Sequence, residues 1–359
     1  MRRVVARFEI PYRQLLAADG RLVDGSAPVE HPAAALRTRL HAMLRARLFD
    51  ARAVALQRAG QLGTYASALG QEAVAVGVAA AMADDDVLVP SFREHGAQLW
   101  RGVRMRELFL YWGGDERGCD YEGPREDLPV CIPVGSQAPH AAGVALAFQL
   151  RGEARAAVCL LGDGATSKGD FYEALNVAGV WRLPVVYVVT NNAWAISVPR
   201  RAQSAAETLA QKAIAAGVPG EQVDGNDVLA VEQVVREALA RAREGNGPTL
   251  VEALTYRLAD HTTSDDARRY RDESEIAAHR AEDPIERLRR HLETTGALAA
   301  DELAAFEAAC REEVEREARA YLATPPQPAA SIFDSVYARW PEALEAQRIA
   351  CVARAAPDA

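Results

Sequence analysis

Gly162-Asp163-Gly164 and Asn191-Asn192 are residues whose types and spacing point to chemistry. The first group follows the apolar run Val158-Cys159-Leu160-Leu161, the second follows Val185 to Thr190, and residues 165–190 lie between them. Each group alone is an ordinary turn sequence. A gap of this length accommodates one crossover helix, which sets two parallel strands side by side and lets their carboxyl ends meet. One Asp oxygen, one Asn carbonyl oxygen and a nearby backbone carbonyl then make half an octahedron. Mg²⁺ favours oxygen ligands in that geometry and commonly completes it with phosphate oxygens. Two familiar phosphate motifs do not apply. Ser167 stands where a dinucleotide fingerprint needs its third glycine, and Lys168 precedes Gly169 where a Walker A loop needs Gly-Lys-Ser/Thr. The pair therefore reads as a magnesium–diphosphate site.

The elements that must position these groups alternate. Helices are expected over Ala141 to Leu150, Asp170 to Val180, 204–216 and Val228 to Arg243; strands are expected over Ala156 to Leu161, Val185 to Thr190, around Val223 and over Thr249 to Tyr256. Apolar strands alternating with helices imply an α/β fold with a doubly wound, mainly parallel sheet. Upstream, His31-Pro32 opens a helix with Leu36, Leu40, Met43, Leu44 and Leu48 at helical spacing and Gly60 as its stop. Ala73 to Met82 reads as a second helix, and Val87-Leu88-Val89 before Pro90 as a short buried strand. Residues 113–135, rich in Gly and Pro, read as a long loop. Three regions are expected: an N-terminal arm (1–31) with the alternating piece Val4 to Ile10, an α/β domain (32–270) and a helical C-terminal region (271–359). The arm has little to bury alone and is expected either to lie on another surface or to fray.

The chain has 359 residues, of which 49% are hydrophobic and 25% charged, an ordinary globular composition. Lys+Arg 41 against Asp+Glu 50 gives a net charge of -9, which argues against broad nucleic-acid binding while leaving room for a local anion site. Five cysteines without a C-x-x-C spacing argue against a disulfide framework or zinc site and suit a reduced, cytoplasmic setting. Met1-Arg2-Arg3 is not followed by an apolar segment, and no run approaches about 18 apolar residues, so neither a secretory signal nor a membrane span is expected.

Further segments narrow the reading. Ser91-Phe92-Arg93-Glu94-His95-Gly96, Gly135-Ser136-Gln137-Ala138-Pro139, Trp194-Ala195-Ile196-Ser197 and His261-Thr262-Thr263-Ser264-Asp265-Asp266 join Gly162-Asp163-Gly164 and Asn191-Asn192 in one order. Together they resemble the alpha subunit of the first, decarboxylating component of 2-oxo acid dehydrogenase complexes, over most of residues 30–340. The resemblance implies thiamine diphosphate and Mg²⁺ as cofactors. It places the side chains of Asp163 and Asn192 and the backbone carbonyl of Trp194 on the metal. Arg93 and His261 approach the diphosphate, with Gly162, Gly164 and Ala165 offering close backbone. Val134 and Ser136 lie toward the aminopyrimidine, and Phe92 and Ile196 complete the cofactor-binding positions. His261 and His95 are the catalytic candidates, with a structural role for His95 the alternative. Two departures stand out: Thr190 where some relatives carry arginine, and Phe92 where tyrosine is common, which removes a hydroxyl.

The resemblance also implies a reaction. With a separate beta subunit, in an α₂β₂ heterotetramer, the chain would carry out oxidative decarboxylation of a 2-oxo acid and reductive acylation of the lipoyl group of the acyltransferase component. The glutamate that activates the cofactor would come from the beta subunit. Pyruvate is slightly favoured as substrate; a branched-chain 2-oxo acid and then acetoin are the alternatives. The Thr262–Ser264 loop corresponds to a phosphorylation target in some relatives. A non-catalytic scaffold subunit is a rival reading, favoured by Thr190 and Phe92 and opposed by the presence of Arg93, Asp163, Asn192 and His261 together.

Overall fold

The computed structural model describes residues 1–25, 31–334 and 336–355. A short strand, Tyr12–Arg13 (β1), precedes the long helix Ala33–Arg58 (α1) and the alanine-rich Glu72–Ala81 (α2). Val87–Val89 (β2) leads to His95–Trp100 (α3), Met105–Trp112 (α4) and, after a loop, Gln137–Arg151 (α5). Ala157–Gly162 (β3), Gly169–Trp181 (α6) and Val185–Asn191 (β4) form one crossover unit. A ribbon of Trp194–Ala195 (β5) and Val198–Pro199 (β6) runs through Arg200–Gln203 (α7) to Gly220–Asp224 (β7), Val228–Arg243 (α8) and Thr249–Leu254 (β8). Glu273–Arg280 (α9), Pro284–Thr294 (α10), Ala300–Leu322 (α11) and Glu345–Ala355 (α12) follow.

The sheet order is β1-β7-β8-β4-β3-β2 and every pairing in it is parallel. Strands β2, β3 and β4 are largely continuous apolar runs because helices cover both faces. Ala157, Cys159 and Leu161 of β3 and Val185, Tyr187 and Val189 of β4 pack with Ala141 and Ala145 of α5 and Phe171 and Leu175 of α6. The alternate residues, Val158, Leu160, Val186 and Val188, pack with Val74 and Val78 of α2 and Val231 and Val235 of α8. The small alanine and glycine surfaces of α2 allow close approach: a Cβ on Gly77 would come 2.8 Å from Val231 of α8. Below this layer, Leu36, Leu40 and Met43 of α1 share a core with Ile285, Leu288 and Leu292 of α10.

Two expectations change. The helix expected over 204–216 is a 3₁₀ segment confined to Ala210–Ala216. The buried carboxylate of Glu252 accepts from the amides of Leu209 at 2.7 Å and Ala210 at 2.9 Å, so the turn begins there, and Gly217 ends it at a φ of 67°. In the arm, Val4 to Ile10 has no strand partner; the pairing is made by Tyr12 and Arg13 against Gln222 and Val223 of β7. Residues 26–30, which include Pro28 of the expected arm, lie outside the described residues.

Candidate active site

The register of β3 and β4 sets Gly162 opposite Thr190, so the next residues of each strand emerge side by side at the carboxyl edge. Asp163 starts a 3₁₀ turn, Asp163–Ser167, and its carboxylate is buried. Gln203 Nε2 donates to Asp163 Oδ2 at 2.9 Å. Burial pushes the Asp163 carboxyl above its ordinary range. The turn is braced from below: Lys212 Nζ donates to Thr166 O at 2.7 Å and Oγ1 at 2.9 Å, and Thr166 Oγ1 donates to Asp163 O at 2.8 Å.

At the end of β4 the paired asparagines divide their work. Asn191 turns into the protein and donates Nδ2 to Glu252 Oε1 at 2.7 Å. Asn192 donates Nδ2 to Gln71 Oε1 at 2.9 Å, which orients its side-chain carbonyl oxygen the other way; that oxygen accepts from the Trp194 amide at 3.3 Å. Left-handed φ values at Ala193 (70°) and Ile196 (54°) bracket Trp194. Non-glycine residues rarely adopt this conformation, and it persists only where surrounding contacts over-determine it. Arg257, with no exposed surface, supplies those contacts: Nη1 donates to Trp194 O at 3.1 Å and Nη2 to Ile196 O at 2.7 Å.

His261 lies on the loop after β8. Arg93 Nη2 donates to His261 O at 2.6 Å, and lies 2.9 Å from its Nδ1; Arg257 Nη1 is 3.3 Å from the same nitrogen. Guanidinium groups only donate, so Nδ1 accepts and the ring proton sits on Nε2. Burial, then Arg93 and Arg257, push the imidazole down to about 4. Arg93 also donates Nη1 to Ser67 O at 2.5 Å and lies over the Phe92 ring at 5.2 Å. Burial and Arg257 lower its pKa to about 10, which leaves it charged at neutral pH.

These groups surround a cavity of about 590 Å³. Phe92, Arg93, Val134, Gly162, Asp163, Gly164, Ala165, Asn192, Trp194, Ile196 and His261 all line it. Two expected site residues do not. Ser136 Oγ donates to Pro133 O at 2.8 Å, so its hydroxyl closes the turn behind Val134. His95, expected as a catalytic candidate, starts α3 on the far side of Arg93 and is 1% exposed. Its Nε2 accepts from Trp112 Nε1 at 2.9 Å, its Nδ1 faces Tyr65 Oη at 3.3 Å, and burial holds it down to about 3. It supports the wall through Trp112 and meets nothing in the cavity.

Sequence reasoning missed Gln71, Gln203 and Thr64 as site residues. A glutamine at the start of an alanine-rich helix carries no local signal, and neither Gln71 nor Gln203 is placed until α2 and α7 fold over the strand ends. Arg257, four residues before His261, carries no spacing signal that ties it to Trp194 or Ile196.

The residues fit a metal-bound diphosphate. The donor set is all oxygen: one buried carboxylate, one amide carbonyl and one backbone carbonyl. Such an oxygen set suits Mg²⁺, which commonly completes its shell with phosphate oxygens. Gln71 Nε2 is buried without a partner among the described residues and belongs to a side chain lining the cavity. A Cβ on Gly162 would meet nothing within 4 Å, so this glycine leaves open space at the strand end.

Residues 40–329 match the family described as "Dehydrogenase E1 component". The chain is 43% identical over 318 residues to the 3-methyl-2-oxobutanoate dehydrogenase subunit alpha of Mycobacterium tuberculosis, covering 88% of this chain and 86% of that one. It is 41% identical over 292 residues to the pyruvate dehydrogenase E1 component subunit alpha of Staphylococcus aureus, covering 81% and 78%. With the Staphylococcus epidermidis protein of the same name it is 37% identical over 343 residues, covering 95% and 92%. Likeness of this extent, to alpha subunits acting on different 2-oxo acids, means that the chain belongs to the dehydrogenase E1 component family, as an alpha subunit of a 2-oxo acid dehydrogenase.

Proposed function

We propose that the cavity binds thiamine diphosphate with Mg²⁺, and that the chain acts with a beta subunit in oxidative decarboxylation of a 2-oxo acid and transfer of the acyl group to a lipoyl acyltransferase. The family depends on thiamine diphosphate. The observation that supports the metal assignment is that Asp163 and Asn192, which follow the adjoining ends of β3 and β4, line one cavity. Asp163, Asn192 and the Trp194 carbonyl would hold the cation. Arg93 and the Nε2–H of His261 would face the diphosphate oxygens, and Gln71 Nε2 supplies a further donor.

When bound, thiamine diphosphate supplies a carbanion and an electron sink for decarboxylation. This chain's residues bind, orient and exclude water. A histidine held near pKa 4 is neutral at pH 7 and is a poor proton donor, so His261 acts by hydrogen-bond donation to anionic oxygen. Among the described residues lining the cavity the carboxylates are Glu94 and Asp163. Glu94 is occupied by Ser91 Oγ at 3.0 Å and the Arg93 amide at 3.0 Å. The glutamate that activates the cofactor is proposed to come from the beta subunit. The exposed Ile132, Val134 and Ile196 beside the cavity suit cover by that partner. The arm (1–31) and the helical region (271–359) are proposed as further grips in an α₂β₂ assembly, on the exposed Val4, Val5, Phe8, Ile349 and Val352. The cysteine usage supports a cytoplasmic setting.

Pyruvate is the proposed substrate. A branched-chain 2-oxo acid is the second reading, favoured by the apolar wall of Phe92, Ile132, Val134 and Ile196. Pocket volume separates the two by only ~1–3 kcal/mol per methylene.

The test co-purifies the chain with the beta-like product encoded beside it and follows 2-oxo-acid-dependent dye reduction, comparing pyruvate with 3-methyl-2-oxobutanoate by kcat/KM. Activity is expected only with both chains and both cofactors. Asp163→Ala is expected to weaken Mg²⁺-dependent cofactor binding by at least ~100-fold with unchanged circular dichroism. Unaltered affinity in that variant would remove the metal assignment.

A further inference from the structure

The segment 64–71, between α1 and α2, forms one wall of the cavity. Thr64, Ala66 and Gln71 of this segment line the cavity. It meets three parts of the site. Ser67 O accepts from Arg93 Nη1 at 2.5 Å, and Gln71 Oε1 accepts from Asn192 Nδ2 at 2.9 Å. Tyr65 is laced to the histidine loop in both directions: its amide donates to Thr263 Oγ1 at 3.0 Å, and the Thr263 amide donates to Tyr65 O at 2.8 Å. Thr64 Oγ1 and Ser264 Oγ lie 3.0 Å apart in the same seam.

Two carboxylates hold this segment: Glu72 of α2 accepts from the Gly70 amide at 3.0 Å, and Asp50 of α1 holds Tyr65, Ser67 and Ala68. Asp50 Oδ1 accepts from Tyr65 Oη at 2.9 Å and from the Ala68 amide at 2.7 Å, while Oδ2 accepts from Ser67 Oγ at 2.6 Å. Asp50 is 5% exposed and does not line the cavity. Tyr65 continues the chain of contacts to His95, and His95 to Trp112 on the cavity wall. A carboxylate with its hydrogen-bonding capacity spent on one loop fixes that loop against the helix that bears it.

We infer that Asp50 is a positioning residue of this site: from α1 it clamps segment 64–71, and through that segment it places Arg93, the His261–Ser264 loop and Asn192 together. The clamp is a property of this chain; its consequence for thiamine diphosphate rests on the cofactor reading above. Asp50 acts at a distance, so its loss should loosen cofactor binding rather than the chemical step.

The test has two arms. In the full chain without cofactor, Asp50→Ala is expected to speed hydrogen exchange at the amides of Ala68 and Thr263 by about 10-fold or more, while the β4 and β8 amides keep their wild-type rates. In the complex with the beta subunit, the KM for thiamine diphosphate is expected to rise about 10-fold or more, with kcat at saturating cofactor within about 2-fold of wild type. Asp50→Asn, which keeps one acceptor oxygen, should recover part of both effects. If Asp50→Ala does not yield soluble protein, Ser67→Ala, which removes one of the contacts, should move both readouts in the same direction by less. Faster exchange confined to Ala68, with Thr263 unchanged, would overturn the proposal, as would an unchanged cofactor KM beside a lowered kcat. Should the wild-type complex fail to bind thiamine diphosphate, the cofactor reading falls, and the exchange arm still decides the clamp.

Discussion

Two histidines next to Arg93 are kept neutral for one physical reason: burial removes the water that would stabilise imidazolium, and Arg93 adds repulsion. His95 is held down to about 3 and His261 to about 4. Unfolded, each would titrate near ~6.5. As pH falls through that value the unfolded chain takes up protons that the folded chain refuses, so their contribution to stability is present above ~6.5 and is lost progressively toward pH 4 and below. The raised carboxyls of Asp50, Glu94 and Asp163 act in the opposite sense, so the net profile of the wild type does not isolate the histidines. A variant does. His95→Gln should destabilise at pH 7 through the lost Trp112 and Tyr65 contacts, and the gap to wild type should narrow as pH is lowered to 4.5, measured by denaturant unfolding. A gap of constant size would show that His95 is not held neutral. His261 is partly exposed, so its share of the effect is smaller. At this scale the sequence showed residue types well: Arg93, Asp163, Asn192 and His261 meet around one cavity. It could not show that Asn191 faces Glu252 while Asn192 faces the site, because that follows from the end of β4 and the turn at Ala193.

The strand ends and their turns carry the next level. Gly162 and Gly164 flank the same aspartate but serve different needs. A Cβ on Gly164 would lie 2.7 Å from Ala195 Cβ, so this glycine permits the β5–β6 ribbon to close over the Asp163 turn. A Cβ on Gly162 would meet nothing within 4 Å and would protrude into open space at the cavity. Gly164→Ala is therefore expected to cost about 1–3 kcal/mol of stability through overpacking. Gly162→Ala should leave thermal unfolding unchanged and weaken thiamine diphosphate binding, read by titration of the assembled complex. Equal melting losses in both variants would contradict this division. Element existence was legible wherever an apolar run was continuous or helically spaced, as at Val185–Asn191 and Val228–Arg243. The segment 204–216 misled because its alanine-rich composition favours helix, whereas tertiary hydrogen bonds from Glu252 start the turn late.

Across the whole molecule, the segment at Leu15 and Leu16 and the helix α10 are tied to the central layer by buried carboxylates. Asp227, fully buried, accepts from the amides of Leu15 at 2.7 Å and Leu16 at 2.6 Å, and caps α8 through the amides of Leu229 at 3.1 Å and Ala230 at 3.2 Å. Arg287 of α10 joins the same region, donating to Asp224 Oδ2 at 2.6 Å and to Leu16 O at 3.1 Å. The start of the chain, a helix of the α/β layer and a C-terminal helix thus share one polar junction. Asp227→Ala removes a helix cap and orphans buried amides, for an expected loss of about 2–4 kcal/mol. Limited proteolysis should then cut near residues 13–16, where Leu16 is buried in the wild type; an unchanged cleavage pattern would show that the arm is held by other contacts.

What the sequence by itself determined is the set of local signals: apolar strands, helix periodicity, the Gly-Asp-Gly turn and the paired asparagines, which in one order with the segments at Ser91, Gly135, Trp194 and His261 were enough to indicate a family. Those signals are written by neighbours in the chain, through burial pattern and turn chemistry. What only the tertiary structure decided is which side chains share a wall. Gln71, Gln203, Arg257 and Asp50 come from separate elements, and no periodicity or spacing relates them to Asp163. They meet because the parallel sheet gathers its carboxyl ends at one edge, where α7, the segment before α2 and, through that segment, α1 bring their donors and acceptors together.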